Sequence, residues 1–289
     1  MTFPDVKDKR LGRSRIALVR WFGIDLFQPE RAVTSYWLPT KVFLGIRLLL
    51  CLWVTIVLWM HIGVTAQAGQ MKTFFAFFTD LTYIGLNAYL VTSCYHHVAY
   101  VWFEKDLKSF FKQPTVLNYL YVYLYHTVIV FNAVTPLVYW AFLSSGSSKM
   151  TVLGNFLNDN VHGVSFFIML VDVIFNRMQV YTNMVLLLLV NVVLYMCLAF
   201  IVHAVDGIWV YPFLNWSHGA TAAMMYLIVG LIFTVVFFIM MGIHDLRDWI
   251  AQLCKRAPKP RFSPRSMEWS ALSFLPEVED DEEKRLGED

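Results

Sequence analysis

The sequence predicts an all-α fold, a polytopic transmembrane helical bundle of six helices. Three observations predict it. Apolar residues make up 58% of the 289-residue chain against 15% charged, more apolar surface than a soluble interior of this size can hide. They collect in six runs, over 42–62, 73–95, 116–143, 151–175, 181–203 and 220–243, and each run supplies the roughly 20 helical residues that cross ~30 Å of hydrocarbon. Aromatics reach 17%, as expected of helices that meet lipid along their sides and headgroups at their ends. The runs are too long for strands and lack strict alternation. A continuous helix is also the only run-length solution that pairs its own backbone groups in lipid.

The charges give the bundle an orientation. Residues 1–40 form a basic segment carrying Lys7, Lys9, Arg10, Arg13, Arg15, Arg20 and Arg31. With this end inside, the inner segments are 1–41, 96–115, 176–180 and 244–289. They add Lys105, Lys108, Lys112, Arg177 and a basic cluster over 247–265, whereas the outer loops hold only Lys72 and Lys149. The positive-inside rule then places both termini in the cytoplasm, with the endoplasmic reticulum and the plasma membrane equally compatible. Arg47, in the first turns of the first helix, is expected to snorkel to the inner headgroups. Residues 15–27 fit either a short amphipathic helix on the membrane surface or a loosely ordered basic tail. The charged, proline-interrupted first 40 residues do not read as a cleavable signal peptide, so the first apolar run is expected to act as a signal anchor.

The transmembrane domain thus spans 41–243 and a cytoplasmic tail spans 244–289. The tail is expected to stay helical over 244–254 and to break at Pro258, Pro260 and Pro264. Its last thirteen residues, 277–289, carry eight acidic and two basic groups, a composition expected to be disordered. Cys51, Cys94, Cys197 and Cys254 include no CxxC pair and are expected to be buried free thiols, without a zinc ribbon or a disulfide framework.

Ionisable groups inside apolar runs need a physical reason to be there. Asp80, His126, Asp159, His162, Asp172, His203 and Asp206 are of this kind. The fourth run opens with Asn155, Asn158, Asp159 and Asn160. It is read as a full crossing whose polar outer half faces the protein interior, in preference to an outer loop over 151–160. Thr79 in the second run and His162 in the fourth fall at comparable depths, about 10 and 16 Å by ~1.5 Å per residue. A threonine hydroxyl becomes a nucleophile when a neutral histidine takes its proton, and the product is an acyl-threonine. Asp159 precedes His162 by one turn and either polarises the imidazole or serves only helix–helix hydrogen bonding. Asp172 is expected to pair with Arg177 near the inner surface, and His96 and His97 to form an interfacial pair. Asn87 and Asn158 are candidate donors to an oxyanion. The aromatic stretch 203–218, with His203, Asp206, Trp209 and Tyr211, reads equally as an interfacial belt and as the cover of a cavity mouth.

Three motifs resemble the androgen-induced gene 1 / FAR-17a family of integral membrane proteins. HAVDGIWVYPFL at 203–214 is similar to the family's H-x-x-x-G-x-W-V-Y-P-F-L segment. FLNDNVHG at 156–163 resembles its W-L-N-H-x-x-H-T, and FAFFTDLTYIGLNAY at 75–89 its K-[YF]-L-T-[FY] helix. With the helix order, the resemblance covers most of 41–243. It implies a hydrolase of fatty acid esters of hydroxy fatty acids, with Thr79 as nucleophile and His162 as base. His203, Gly207, Trp209, Tyr211 and Pro212 inherit membership of the signature segment. The chain departs from the pattern at Asp159, which replaces the family's first histidine in that helix, at Gly163, which replaces a threonine, and at Asp80 beside Thr79.

The leading expectation is therefore an intramembrane threonine-type lipid ester hydrolase, its partners being membrane lipids and a lipid ester substrate, with no nucleic acid. An apolar cavity between helices is expected to bury both acyl chains of that substrate. No nucleotide, organic cofactor or metal is implied. The alternatives are a non-enzymatic lipid-binding or transport protein, in which Thr79 only packs, and a metal enzyme built on His162 and His203, disfavoured because no helix presents an HxxxH or HxxH pair.

Overall fold

Every regular element among the described residues is helical. The computed structural model describes residues 10–103, 107–144 and 151–257. Lys7, Lys9, Lys105, Lys149, the basic cluster beyond 257, the three tail prolines and the acidic tail lie outside the described residues.

Among the described residues six long helices build the bundle: α1 (Thr40–Gln67), α2 (Phe78–Trp102), α3 (Thr115–Leu143), α4 (Val152–Phe175), α5 (Met184–Asp206) and α6 (Ala220–Leu253). All but α2 are long and apolar enough to cross a membrane, so the chain is an all-helical, multi-pass membrane protein. Proline sets two starts: Pro39 and Pro114 stand immediately before α1 and α3, where a missing N–H costs nothing. Gly207, at φ +70°, closes α5 by donating its N–H to the His203 carbonyl at 2.9 Å, the left-handed residue that favours glycine at a helix end. The fourth run is a full-length helix, as expected, and α6 runs without a break to Leu253.

α2 is the central helix. It packs against α1, α3 and α4 and buries Thr79, Asp80, Thr82, Ser93, His96 and His97 along with its tyrosines and leucines. A helix surrounded by protein meets little lipid, so polar side chains are tolerated there when they find partners. α5 is the opposite case: it buries only Met184, Leu188 and Ala199 and exposes Leu186, Val190, Val193, Leu194 and Ile201.

Two helices widen locally into π-helical turns. In α3 the ladder lacks a donor at Pro136, and the turn Tyr139–Leu143 follows. In α4 it is Asn160–Val164. Such turns are costly single insertions that recur at functional positions.

The amino-terminal end of the bundle is held by a buried polar network that overturns two expectations. Arg47 does not snorkel: it is fully buried and binds Asp172 through Nε–Oδ1 at 2.6 Å and Nη2–Oδ2 at 3.1 Å. Asp172 therefore does not pair with Arg177, whose Nε donates to Thr34 Oγ1 at 2.8 Å. Tyr89 and Asn176 also donate to Asp172, at 2.7 and 3.1 Å, and Arg47 Nη1 donates to the Ala32 carbonyl at 2.6 Å. Desolvation decides the difference, because a buried carboxylate needs a full set of charged and neutral donors that an interfacial one takes from water. His96 and His97 are buried in the protein, His96 lying flat on Phe110 with ring centroids 3.8 Å apart.

The segment preceding α1 is neither a single amphipathic helix nor a loose tail. A short helix Ala17–Trp21 ends at Gly23, φ +71°, and a 3-10 turn Ile24–Leu26 follows. Phe27 then packs on Phe110 and Tyr121. Among the cysteines only Cys94 is buried; Cys197 and Cys254 are exposed, Cys197 on the lipid-facing helix α5.

Candidate functional site

The opposite end of the bundle carries the site. The second apolar run breaks at residues 75–77, so α2 begins only at Phe78 and Thr79 is its second residue. Thr79 is therefore at the mouth of the helix and not about two turns inside it. Two tyrosines hold this entrance. Tyr195 of α5 donates its hydroxyl to the Ala76 carbonyl at 2.9 Å and accepts the Phe78 N–H at 3.1 Å. Tyr211, from the segment after α5, accepts the same N–H at 3.1 Å and lines the same cavity as Thr79.

These groups line an apolar cavity of about 90 Å³ shared by α2, α3, α5 and α6, with Thr79, Thr135 and Tyr139 on its wall. The stretch 203–218 resolves as its cover: Tyr211, Phe213 and Leu214 line the cavity, and the Tyr211 and Phe213 rings stack at 5.3 Å with planes 6° apart. Burial pushes the Tyr211 hydroxyl up to about 12, so it remains a protonated donor. Its lining is almost wholly apolar, Thr79 and Thr135 being the exceptions besides the tyrosine hydroxyls.

His162 lies behind Tyr139. Their rings stack with centroids 3.9 Å apart and planes 11° from parallel, and the buried Nδ1 of His162 has no hydrogen-bond partner. Asn158 joins this pair by donating Nδ2 to the Tyr139 hydroxyl at 2.9 Å. Asp159 does not: it is exposed, against the expectation that it shares the interior. Position 158, four residues before His162, takes the place beside it, since i+4 lies closer to i than i+3 does around a helix. Gly163 has a packing role, because a Cβ there would lie 2.7 Å from Trp140 Cη2.

The remaining candidates fall elsewhere. Asn87 donates to Thr55 Oγ1 at 2.7 Å and ties α2 to α1, so it does not face the cavity. His203 stacks on Trp209 at 3.8 Å and 15°, Trp209 packs edge-on against Trp216, and Asp206 pairs with Lys72; these groups brace the cover. His203 and His162 each stack on a different aromatic ring, and among the described residues no three His, Cys, Asp or Glu side chains converge as a metal set.

Sequence reasoning missed His61, Tyr139 and Tyr195. His61 Nε2 meets Asp80 Oδ1 at 2.9 Å and lies within electrostatic range of His162, which accounts for the carboxylate beside Thr79. The signal for His61 was available as an ionisable residue in the first apolar run. Tyr139 and Tyr195 were two aromatics among many, and periodicity does not separate a cavity wall from a lipid face.

No family model, curated protein or solved structure matches the chain.

Proposed function

We propose that the chain is an intramembrane lipid ester hydrolase with Thr79 as nucleophile and His162 as base. The observation that carries the reading is that Thr79 lines a covered apolar cavity together with Tyr211 and Tyr139, and that the Tyr139 ring stacks on an imidazole whose Nδ1 is unpartnered. His162 takes the Thr79 proton through a water that passes the edge of Tyr139. The threonine oxygen then attacks the ester carbonyl carbon, and Tyr211 donates to the oxyanion. The alcohol leaves with the proton from His162, and water, activated by the same imidazole, releases the fatty acid from the acyl-threonine. The cavity holds the reacting ester while the acyl chains remain in the bilayer. The motif resemblance favours a fatty acid ester of a hydroxy fatty acid as the substrate. Six crossings, α2 included, complete this reading, with both termini cytoplasmic in the endoplasmic reticulum or the plasma membrane.

A lipid-binding or transport function is favoured by one observation: no hydrogen bond joins Thr79 to His162 among the described residues. A threonine-reactive acylating probe on the purified full-length chain separates the two. Hydrolysis predicts an adduct on Thr79 that is lost in Thr79→Ala and His162→Ala and kept in Thr82→Ala, whose hydroxyl is held by the Thr79 carbonyl at 2.9 Å. A folded wild-type chain that neither forms an adduct nor turns over branched esters, triacylglycerol or phospholipid is a binding or transport protein.

A further inference from the structure

α1 and α2 pack on each other more extensively than any other two elements among the described residues. Three side-chain contacts fix their register. Arg47 Nη1 stands 3.4 Å from His97 Nδ1, Asn87 donates Nδ2 to Thr55 Oγ1 at 2.7 Å, and His61 Nε2 meets Asp80 Oδ1 at 2.9 Å. The α2 number falls as the α1 number rises, so the helices are antiparallel.

Two cysteines fall inside this register. Cys51 comes four residues after Arg47 and four before Thr55, on one stripe of α1. Cys94 comes three residues before His97 and seven after Asn87, on the facing stripe of α2. At ~1.5 Å per residue they stand within about 3 Å of one level, between the first two contacts. The thiols therefore face one another across the interface, and each senses the other. Both are free in this structure. Their surroundings differ. Cys94 is buried and lies in the field of the Arg47–Asp172 pair. Cys51 is half-buried, with Thr55 beside it and the exposed Leu48 and Leu52 flanking it along the helix. It is about 16 Å from the start of α1, a depth that an oxidant dissolved in lipid reaches from the side and the aqueous glutathione pool does not.

We propose that Cys51 and Cys94 are a redox pair that reduces a lipid hydroperoxide and closes into a disulfide joining α1 to α2. The Cys51 sulfur, the more accessible of the two, attacks the terminal oxygen of the hydroperoxide. The O–O bond breaks, and the Cys51 proton goes to the departing alkoxide, which leaves as a lipid alcohol. Cys51 is then a sulfenic acid. The Cys94 sulfur attacks the Cys51 sulfur, the S–O bond breaks, and hydroxide leaves with the Cys94 proton as water. Two thiols lose two electrons, and the hydroperoxide gains them. The pair is independent of the chemistry at Thr79.

The test uses the full-length chain in phosphatidylcholine nanodiscs, with and without a phospholipid hydroperoxide, and counts thiols with a polyethylene glycol maleimide after denaturation. The reduced chain takes four labels, one for each cysteine. After exposure to the hydroperoxide it should take two, with one lipid alcohol formed per disulfide and a Cys51–Cys94 link found by peptide mapping. Cys51→Ala should form neither link nor alcohol. Cys94→Ala should still form the alcohol and leave a sulfenic acid on Cys51 that a dimedone probe captures. Retention of all four labels in the wild type would overturn the proposal, as would a link that includes Cys197 or Cys254. Faster closure by an equal dose of hydrogen peroxide in the water phase would overturn the lipid source, and alcohol formation in Cys51→Ala would remove Cys51 as the attacking sulfur.

Discussion

The imidazole of His162 lies flat on the phenol ring of Tyr139, 3.9 Å between centroids, at the place where the π-helical turns of α3 and α4 meet. A stacked pair of this kind contributes about 0.5–1.5 kcal/mol beyond buried area, enough to hold the imidazole in one orientation. Replacing Tyr139 by Leu removes the stack and the hydrogen bond from Asn158, and is expected to lower the hydrolytic rate about 10-fold, the equivalent of ~1.4 kcal/mol. Tyr139→Phe keeps the stack and is expected to lose less than about 3-fold. Initial rates on a dispersed ester measure both; equal losses would assign the effect to the hydroxyl and not to the stack.

Gly163 sits in the same junction. Its missing Cβ leaves room for Trp140, whose Cη2 would otherwise lie at 2.7 Å. Gly163→Ala is expected to destabilise the fold by about 1–3 kcal/mol through overpacking. Trimming the opposing ring in Gly163→Ala/Trp140→Leu should recover part of that loss. Thermal unfolding in a fixed detergent reads both, and a single variant as stable as the wild type would show that Trp140 yields freely.

The Arg47–Asp172 pair is fully buried. Taking away one partner leaves a bare charge in the interior, so Arg47→Met and Asp172→Leu should each cost about 3–5 kcal/mol. The double variant should be less destabilised than either single one, because replacing both charges by apolar groups removes the desolvation penalty as well as the attraction. The comparison is a double-mutant cycle on unfolding midpoints; simple additivity would mean that the two residues contribute independently.

What the sequence made legible follows from the kind of physics involved. Five of the six runs became helices long and apolar enough to cross a membrane, because lipid imposes a requirement on every residue of a crossing, and that requirement is local. The placement of Arg47 and Asp172 was misread because a partner 125 residues away leaves no local trace, and the nearest basic residue was taken in its place. Asp159 was aligned with His162 by regular helical spacing, which a π-helical turn breaks. The segment 203–218 was read as either a belt or a cover, and its residues Tyr211, Phe213 and Leu214 line the cavity. The proposed roles of Thr79 and His162 rest on chemistry and resemblance, and of the two only Thr79 lines the cavity.

Tyr211 provides the sharpest mechanistic test. Two tyrosine hydroxyls stand at the entrance of α2, but they differ in where their protons go. Tyr195 donates to the Ala76 carbonyl at 2.9 Å, and that commitment keeps it from serving an oxyanion. Tyr211 accepts the Phe78 N–H and lines the cavity with Thr79, and among the described residues no carbonyl takes its proton. Tyr211→Phe should therefore lower kcat by about 10²–10³, the usual cost of one oxyanion donor, with KM little changed. Tyr195→Phe should instead lower the unfolding temperature and spare kcat, because it leaves a backbone carbonyl unpaired. The pH profile supplies a second reading. A donor must be protonated, and burial has raised the Tyr211 hydroxyl to about 12, so the rate should not fall as pH rises through the ordinary tyrosine value of 10.0. A decline centred on that ordinary value and absent in Tyr211→Phe would show that the hydroxyl titrates as an exposed phenol does. A Tyr211→Phe variant with wild-type kcat would remove it from the reaction altogether, leaving Thr79 labelling as the separate measure of the hydrolase reading.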